Sequence, residues 1–152
     1  KTLNLLSYIE NKVSQKELED YFISLNKDPS CMFFALYEKE KNTFIGTVKV
    51  SKIDLKLGIA DIGIMIGEKI FWGKGIAQDI LQLVCIHFFD DYNLRKLTCG
   101  LMSNNLAMRR VFEKLGFKQE GRFRKVDLFE GDYIDHIHMG CFKNELRRID
   151  IT

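Results

Sequence analysis

Residues Trp72, Gly73, Lys74, Gly75, Ile76 and Ala77 join a strand-like run at 60–67 to an apolar, helix-like run at 76–89. A strand that passes into a helix through two glycines constrains the fold more than any other feature of the chain. Glycine accepts positive φ at no steric cost, so the backbone can turn sharply there and come close to a ligand. The first turn of the following helix leaves its N–H groups without intrahelical partners and concentrates about half a positive charge, so it faces an anion. The pattern calls for an α/β chain with a phosphate-sized cradle at a strand-to-helix turn.

The flanking segments extend this reading. Ser14 with Glu17 three residues on forms a capping box, and Leu18, Tyr21, Phe22 and Leu25 follow at helical spacing toward a stop near Asp28 and the single proline, Pro29. Runs at 32–38 and 44–53 are rich in aromatic and β-branched residues and are separated by a polar turn at 39–42, which predicts a hairpin. In the run 76–89, Ile76, Ala77, Ile80, Leu81, Val84, Cys85 and Phe88 share one helical face, with Gln78, Asp79 and Gln82 as the polar stripe. A strand at 95–101 follows. Ser103, Asn104 and Asn105 can cap a further helix on which Ala107, Val111 and Leu115 align and Gly116 is placed to stop it. Runs at 117–127 and 132–142 then read as two strands joined through Glu130 and Gly131. The order is helix, three strands, helix, strand, helix, two strands, in one domain spanning residues 1–152.

With 152 residues the chain can bury one substantial core. Its 23 Lys plus Arg against 21 Asp plus Glu give a net charge of +2, which provides little long-range attraction for nucleic acid or an anionic membrane. Any anion site must therefore be local. No apolar run reaches the roughly 20 residues that cross a bilayer, and Lys1 opens no secretory signal, so a cytoplasmic protein without membrane or nucleic-acid partners is expected. Cys31, Cys85, Cys99 and Cys141 form no Cys-x-x-Cys pair, which argues for reduced structural cysteines and against a zinc or redox site. His136 and His138 alternate on one strand face, a spacing more common for hydrogen-bonded sheet residues than for a metal site, and no metal is expected.

Three segments in order, IGIMIGEKIFWGKGIA, NNLAMRRVFEKLGFKQEGRF and FEGDYIDHIHMG, resemble the GCN5-related N-acetyltransferases, and within them the ribosomal-protein-alanine acetyltransferase-like branch. The resemblance covers residues 32–142. It implies a single mixed, mostly antiparallel sheet with helices on both faces and splayed central strands, and acetyl-CoA as co-substrate. Family members begin with a further strand and helix before the region matching 2–10, so the chain looks short at that end. Where the usual loop begins with Arg or Gln this chain has Trp72.

By the same resemblance, Trp72, Gly73, Lys74, Gly75, Ile76 and Ala77 would hold the pyrophosphate. Ile64, Met65 and Ile66 would bond the pantetheine arm as an added strand does, with an N–H of Met65 or Ile66 steadying the tetrahedral oxyanion. Asn105 would touch the arm from the other side. Met108 and Phe112 occupy positions that in many members hold Ser or Tyr beside the departing sulfur, so both belong next to the coenzyme, yet neither can donate a proton. A thiol pKa of about 8.5 makes thiolate a tolerable leaving group regardless.

An alkyl ammonium has no lone pair, so the acceptor amine must lose a proton before attack. Asp127 is the first candidate for the base, at a position matching a carboxylate of that branch, and Glu68 the second. Asp127 could equally anchor a turn or pair with Arg124 or Lys125. The expected reaction is direct acetyl transfer to a primary amine, on a small molecule, an amino sugar or a protein N-terminus. The alternative is a coenzyme A-binding sensor or scaffold without turnover. A nucleoside triphosphate site is disfavoured because the turn lacks the Gly-Lys-Ser/Thr ending. The last strand offers an edge on which a second copy could pair to form a homodimer.

Overall fold

The computed structural model describes residues 14–150, so the region matching 2–10 lies outside it. Helix α1 (Gln15–Lys27) begins as its sequence requires. The Ser14 side chain accepts from the Glu17 N–H, while the Glu17 carboxylate accepts from the Ser14 N–H at 2.7 Å. The strands are β1 (Met32–Glu38), β2 (Thr43–Asp54), β3 (Ile59–Ile66), β4 (Lys96–Met102), β5 (Lys118–Phe129) and β6 (Asp132–Phe142). Helix α2 (Ile76–Asp90) joins β3 to β4, and α3 (Leu106–Lys114) joins β4 to β5.

All six strands form one sheet in the order β1-β2-β3-β4-β6-β5, antiparallel except where β3 meets β4. The parallel step follows from the crossover through α2, as a strand-helix-strand unit dictates. The last strand, β6, is paired on both sides, by β4 and β5. The edge open to a second copy at this end of the sheet is therefore that of β5, not of the last strand.

Pairing register places Val48, Val50, Ala60, Ile62, Leu97, Cys99, Leu101, Ile137, Met139 and Cys141 on one face. Leu81, Cys85, Phe88 and Phe89 of α2, Phe112 of α3 and Leu115, which caps the end of α3, complete the buried core with them. Each of those large side chains is worth about 1.5–3 kcal/mol by burial, so this face holds the fold together. Helix α1 lies on the opposite face, where Lys49 Nζ donates to Tyr21 Oη at 3.0 Å and sits over its ring. Helices thus cover both faces, as expected.

Two helical assignments need correction. On α3 and its C-cap the inward residues are Phe112 and Leu115, flanked by Met108 and Val111, and Ala107 is exposed. Gln82 does not belong to a solvated stripe on α2. It is 4% exposed and clamps the chain end, donating to the Ile149 carbonyl and accepting from the Ile149 N–H. A buried amide with both ends bonded satisfies the cost of its desolvation.

Candidate active site

The sheet opens at its parallel step. β3 and β4 pair only at Ile59, Ala60 and Asp61 against Lys96, Leu97 and Thr98. Beyond that point Ile62–Ile66 and Cys99–Met102 diverge, leaving a cleft between two strand edges. Backbone groups alternate sides along a strand, and the Gly67 N–H donates toward β2, to the Ile45 carbonyl at 2.9 Å. The Met65 carbonyl also points at β2, where a methyl built on Gly46 would meet it. The backbone groups of Ile64 and Ile66 therefore face the cleft. Between the two expected oxyanion donors, Met65 is committed to β2 and Ile66 is available.

Beyond β3, a 3₁₀ turn (Lys69–Phe71) leads through Gly73 and Gly75, at φ +72° and +81°, into α2. Positive φ is the reason for glycine here, since a methyl on Gly73 would meet nothing within 4 Å. The first intrahelical bond runs from the Asp79 N–H to the Gly75 carbonyl, and no side chain caps the helix. The N–H groups of Ile76, Ala77 and Gln78 precede that bond and have no intrahelical acceptor.

Trp72 is 42% exposed, and its indole N–H donates to the cleft-facing Ile66 carbonyl at 2.9 Å. The ring is neither buried packing nor a free lid. It ties the turn to the end of β3. Lys69 and Lys74 lie over the rings of Trp72 and Phe71 respectively, each at 5.9 Å, which keeps positive charge beside the turn. Glu68, the second carboxylate considered as a base, precedes the 3₁₀ turn, is exposed and makes no capping bond.

On the β4 side, Asn105 caps α3 by accepting from the Met108 N–H at 3.3 Å, so its Oδ1 is engaged and its amide N–H groups remain for a ligand. Met108 is half-buried. Phe112 is buried, with its ring edge-to-face against Phe117 at 4.9 Å, so its position is filled by core packing.

Asp127 is 8% exposed and pairs with neither Arg124 nor Lys125 as its partner in the side-chain bonds. Its Oδ2 lies 2.8 Å from His136 Nδ1. The pairing depends on an irregularity in β5, where Phe123 opposes His136 and Asp127 opposes Ile134, so residues 124–126 bulge out. Lys125 sits in the bulge at φ +53°, and Asp135 holds it by accepting from the Lys125 N–H and from Arg122 Nε. Those two donors, the Lys125 N–H first, keep the Asp135 carboxyl below the usual carboxylate range. Periodicity hints at His136 through its alternation with His138, but nothing in the sequence signals its bond to Asp127.

Cys99, on β4 beside the cleft, is fully buried, and desolvation pushes its thiol well up, with negative neighbours led by Asp61 adding to the effect. A thiol held protonated is no nucleophile. The four cysteines are unpaired, and no described helix is long and apolar enough to cross a membrane.

A model of the acetyltransferase (GNAT) domain matches residues 5–118. A probable N-acetyltransferase of Bacillus subtilis (strain 168) is 33% identical over 123 residues, covering 80% of this chain and 67% of its own length. The [ribosomal protein uS5]-alanine N-acetyltransferase of Escherichia coli (strain K12) is 23% identical, covering 74% of this chain and 58% of its own. A spermidine N-acetyltransferase from Vibrio cholerae, solved with CoA and spermine, superposes with a TM-score of 0.81 at 23% identity, covering 94% of this chain and 87% of that one. The chain spans 67%, 62% and 71% of the length of three of its bacterial relatives. With the domain match running through the cleft, the glycine turn and α3, the chain belongs to the GNAT family of acetyl-CoA-dependent N-acetyltransferases.

Proposed function

We propose that the chain moves the acetyl group of acetyl-CoA in one step onto a primary amine, with the coenzyme seated between β3 and β4 and its pyrophosphate on the turn 72–77. The observation that carries this is the splay. After three paired positions the two strands part, and the Ile64 and Ile66 backbone faces the gap just before a helix N-terminus that lacks a capping side chain. An amide-bearing arm satisfies such edges as a neighbouring strand would. Trp72, Gly73, Lys74, Gly75, Ile76 and Ala77 then surround the phosphates, with Asn105 and Met108 on the far side.

In the reaction the amine lone pair attacks the thioester carbon, and the carbonyl electrons move to oxygen beside the Ile66 N–H. The C–S bond then breaks with its electrons on sulfur. A preorganised N–H donor acts most strongly on that oxyanion, because it is worth more in a site from which water is displaced. Asp127 supplies the negative charge on the acceptor side. Glu68, exposed beyond β3, is the lesser candidate. Phe112 offers no proton to the sulfur, which leaves as thiolate.

The acceptor class is read from relatives that act on a ribosomal-protein alanine or bind spermine: a protein N-terminus or a small polyamine-like amine. Unpaired cysteines fit a cytoplasmic setting. A thiol-release assay over N-terminal peptides, polyamines and amino sugars tests the proposal. Turnover of at least one amine is expected, and it should collapse in Asp127→Ala with acetyl-CoA affinity retained. Acetyl-CoA binding with no turnover across the panel would instead leave a coenzyme A-binding module.

A further inference from the structure

We propose that His136 is the group that takes the proton from the acceptor ammonium, and that Asp127 is a positioning residue acting through it. This rests on the amine-transfer reading above. An ionised carboxylate only accepts, so the 2.8 Å contact from Asp127 Oδ2 assigns the proton of the neutral ring to Nδ1 and leaves the lone pair on Nε2. That lone pair is directed over β4. A methyl built on Gly100 would lie 2.4 Å from His136 Nε2 and 3.2 Å from its Cε1.

Gly100 lies on the stretch of β4 that has parted from β3, and the register places it on the same sheet face as His136 and His138. Across the cleft, β3 presents Gly63 on that face, where a methyl would meet nothing within 4 Å. The absent side chain at Gly63 thus leaves the β3 side of the cleft open to an amine, while the imidazole edge fills the space above Gly100 on the β4 side. Asp127, 8% exposed and with one oxygen on the imidazole, is poorly placed to meet the amine itself.

Several charged or titratable groups share the ring's face of the sheet, Lys49 of β2 opposite Gly63 among them. Asp127 reaches the ring from β5, His138 is its neighbour on β6, and Asp61 of β3 bonds Thr98 of β4 farther along the same face. Asp135 turns to the other face, held by Arg122. The proton passes from R–NH₃⁺ to Nε2, giving an imidazolium paired with the Asp127 carboxylate. The amine then forms the C–N bond, and the C–S bond breaks. The second nitrogen proton goes to the departing thiolate as CoASH, and the imidazolium returns its proton to water.

The test combines kinetics with nitrogen NMR. With the best amine of the panel, His136→Gln should lower kcat about 100-fold, within the usual range for a general base, with acetyl-CoA affinity unchanged within threefold. Asp127→Asn should lower kcat less, about 10-fold, and weaken the preference for the Nδ1–H tautomer, because an amide can donate to Nδ1 as well as accept from it. In the wild-type protein, ¹⁵N spectra of neutral His136 should show the Nδ1–H tautomer. Near-wild-type kcat in His136→Gln, or an Nε2–H tautomer, overturns the assignment and returns the base role to Asp127. A wild-type protein that turns over no amine defeats the amine-transfer reading instead, and the tautomer still decides whether the ring is set as a base.

Discussion

The two sides of the cleft are built in different ways. The side proposed for the coenzyme is local: the end of β3, the 3₁₀ turn, two glycines at positive φ and the start of α2 follow one another within residues 64–77. The side proposed for the acceptor is assembled from four strands, with Gly63 on β3, Gly100 on β4, Asp127 on β5 and His136 on β6. The first side depends on backbone conformation, and substitutions act there through φ and through what a Cβ would cover. The second depends on register, and substitutions act through displaced side chains. On the proposed roles, the two sides should fail independently, although Trp72 links the turn to the cleft edge.

Gly75→Val separates them most sharply. A branched residue at φ +81° is strained by about 1–3 kcal/mol and crowds the N–H groups proposed to hold the phosphates, so acetyl-CoA affinity by calorimetry should fall about 100-fold. Retained affinity would break the assignment of that turn. Gly100→Ala acts on the other side. Its methyl displaces the His136 ring, which should cost about 10- to 100-fold in kcat and less than threefold in coenzyme affinity. Were affinity to fall instead, the two sides would not be separable. Trp72→Phe keeps the ring but removes the bond to the Ile66 carbonyl, so about 1 kcal/mol of stability should be lost in urea unfolding.

The smallest effect concerns the bulge that brings Asp127 to His136. The Asp135 carboxyl is held below its ordinary value, so its contribution is complete above the unfolded value near 3.9 and is lost as pH falls through the folded one. The wild type should exceed Asp135→Asn in Tm at pH 7. The difference should close below about pH 4.

Much of the chain was legible in its residues because the relevant physics is local. The capping box at Ser14, the glycine turn before α2 and the Asn105 cap each involve groups within a few positions of one another, and the structure contains all three. Periodicity identified the buried stripe of α2 but misjudged Gln82, since a polar residue enters the core when a distant segment, here Ile149, satisfies it.

The sequence by itself determined the order of elements and the glycine turn ahead of α2. Each follows from steric limits on φ, side-chain periodicity and capping. Only the tertiary structure decided that β6 is inserted between β4 and β5, that β3 and β4 part after Asp61 and Thr98, and that Asp127 meets an imidazole. Those outcomes depend on strand pairing between distant segments and on an irregular register in β5. Pairing energy is shared among many cross-strand contacts, so no short stretch of residues encodes it.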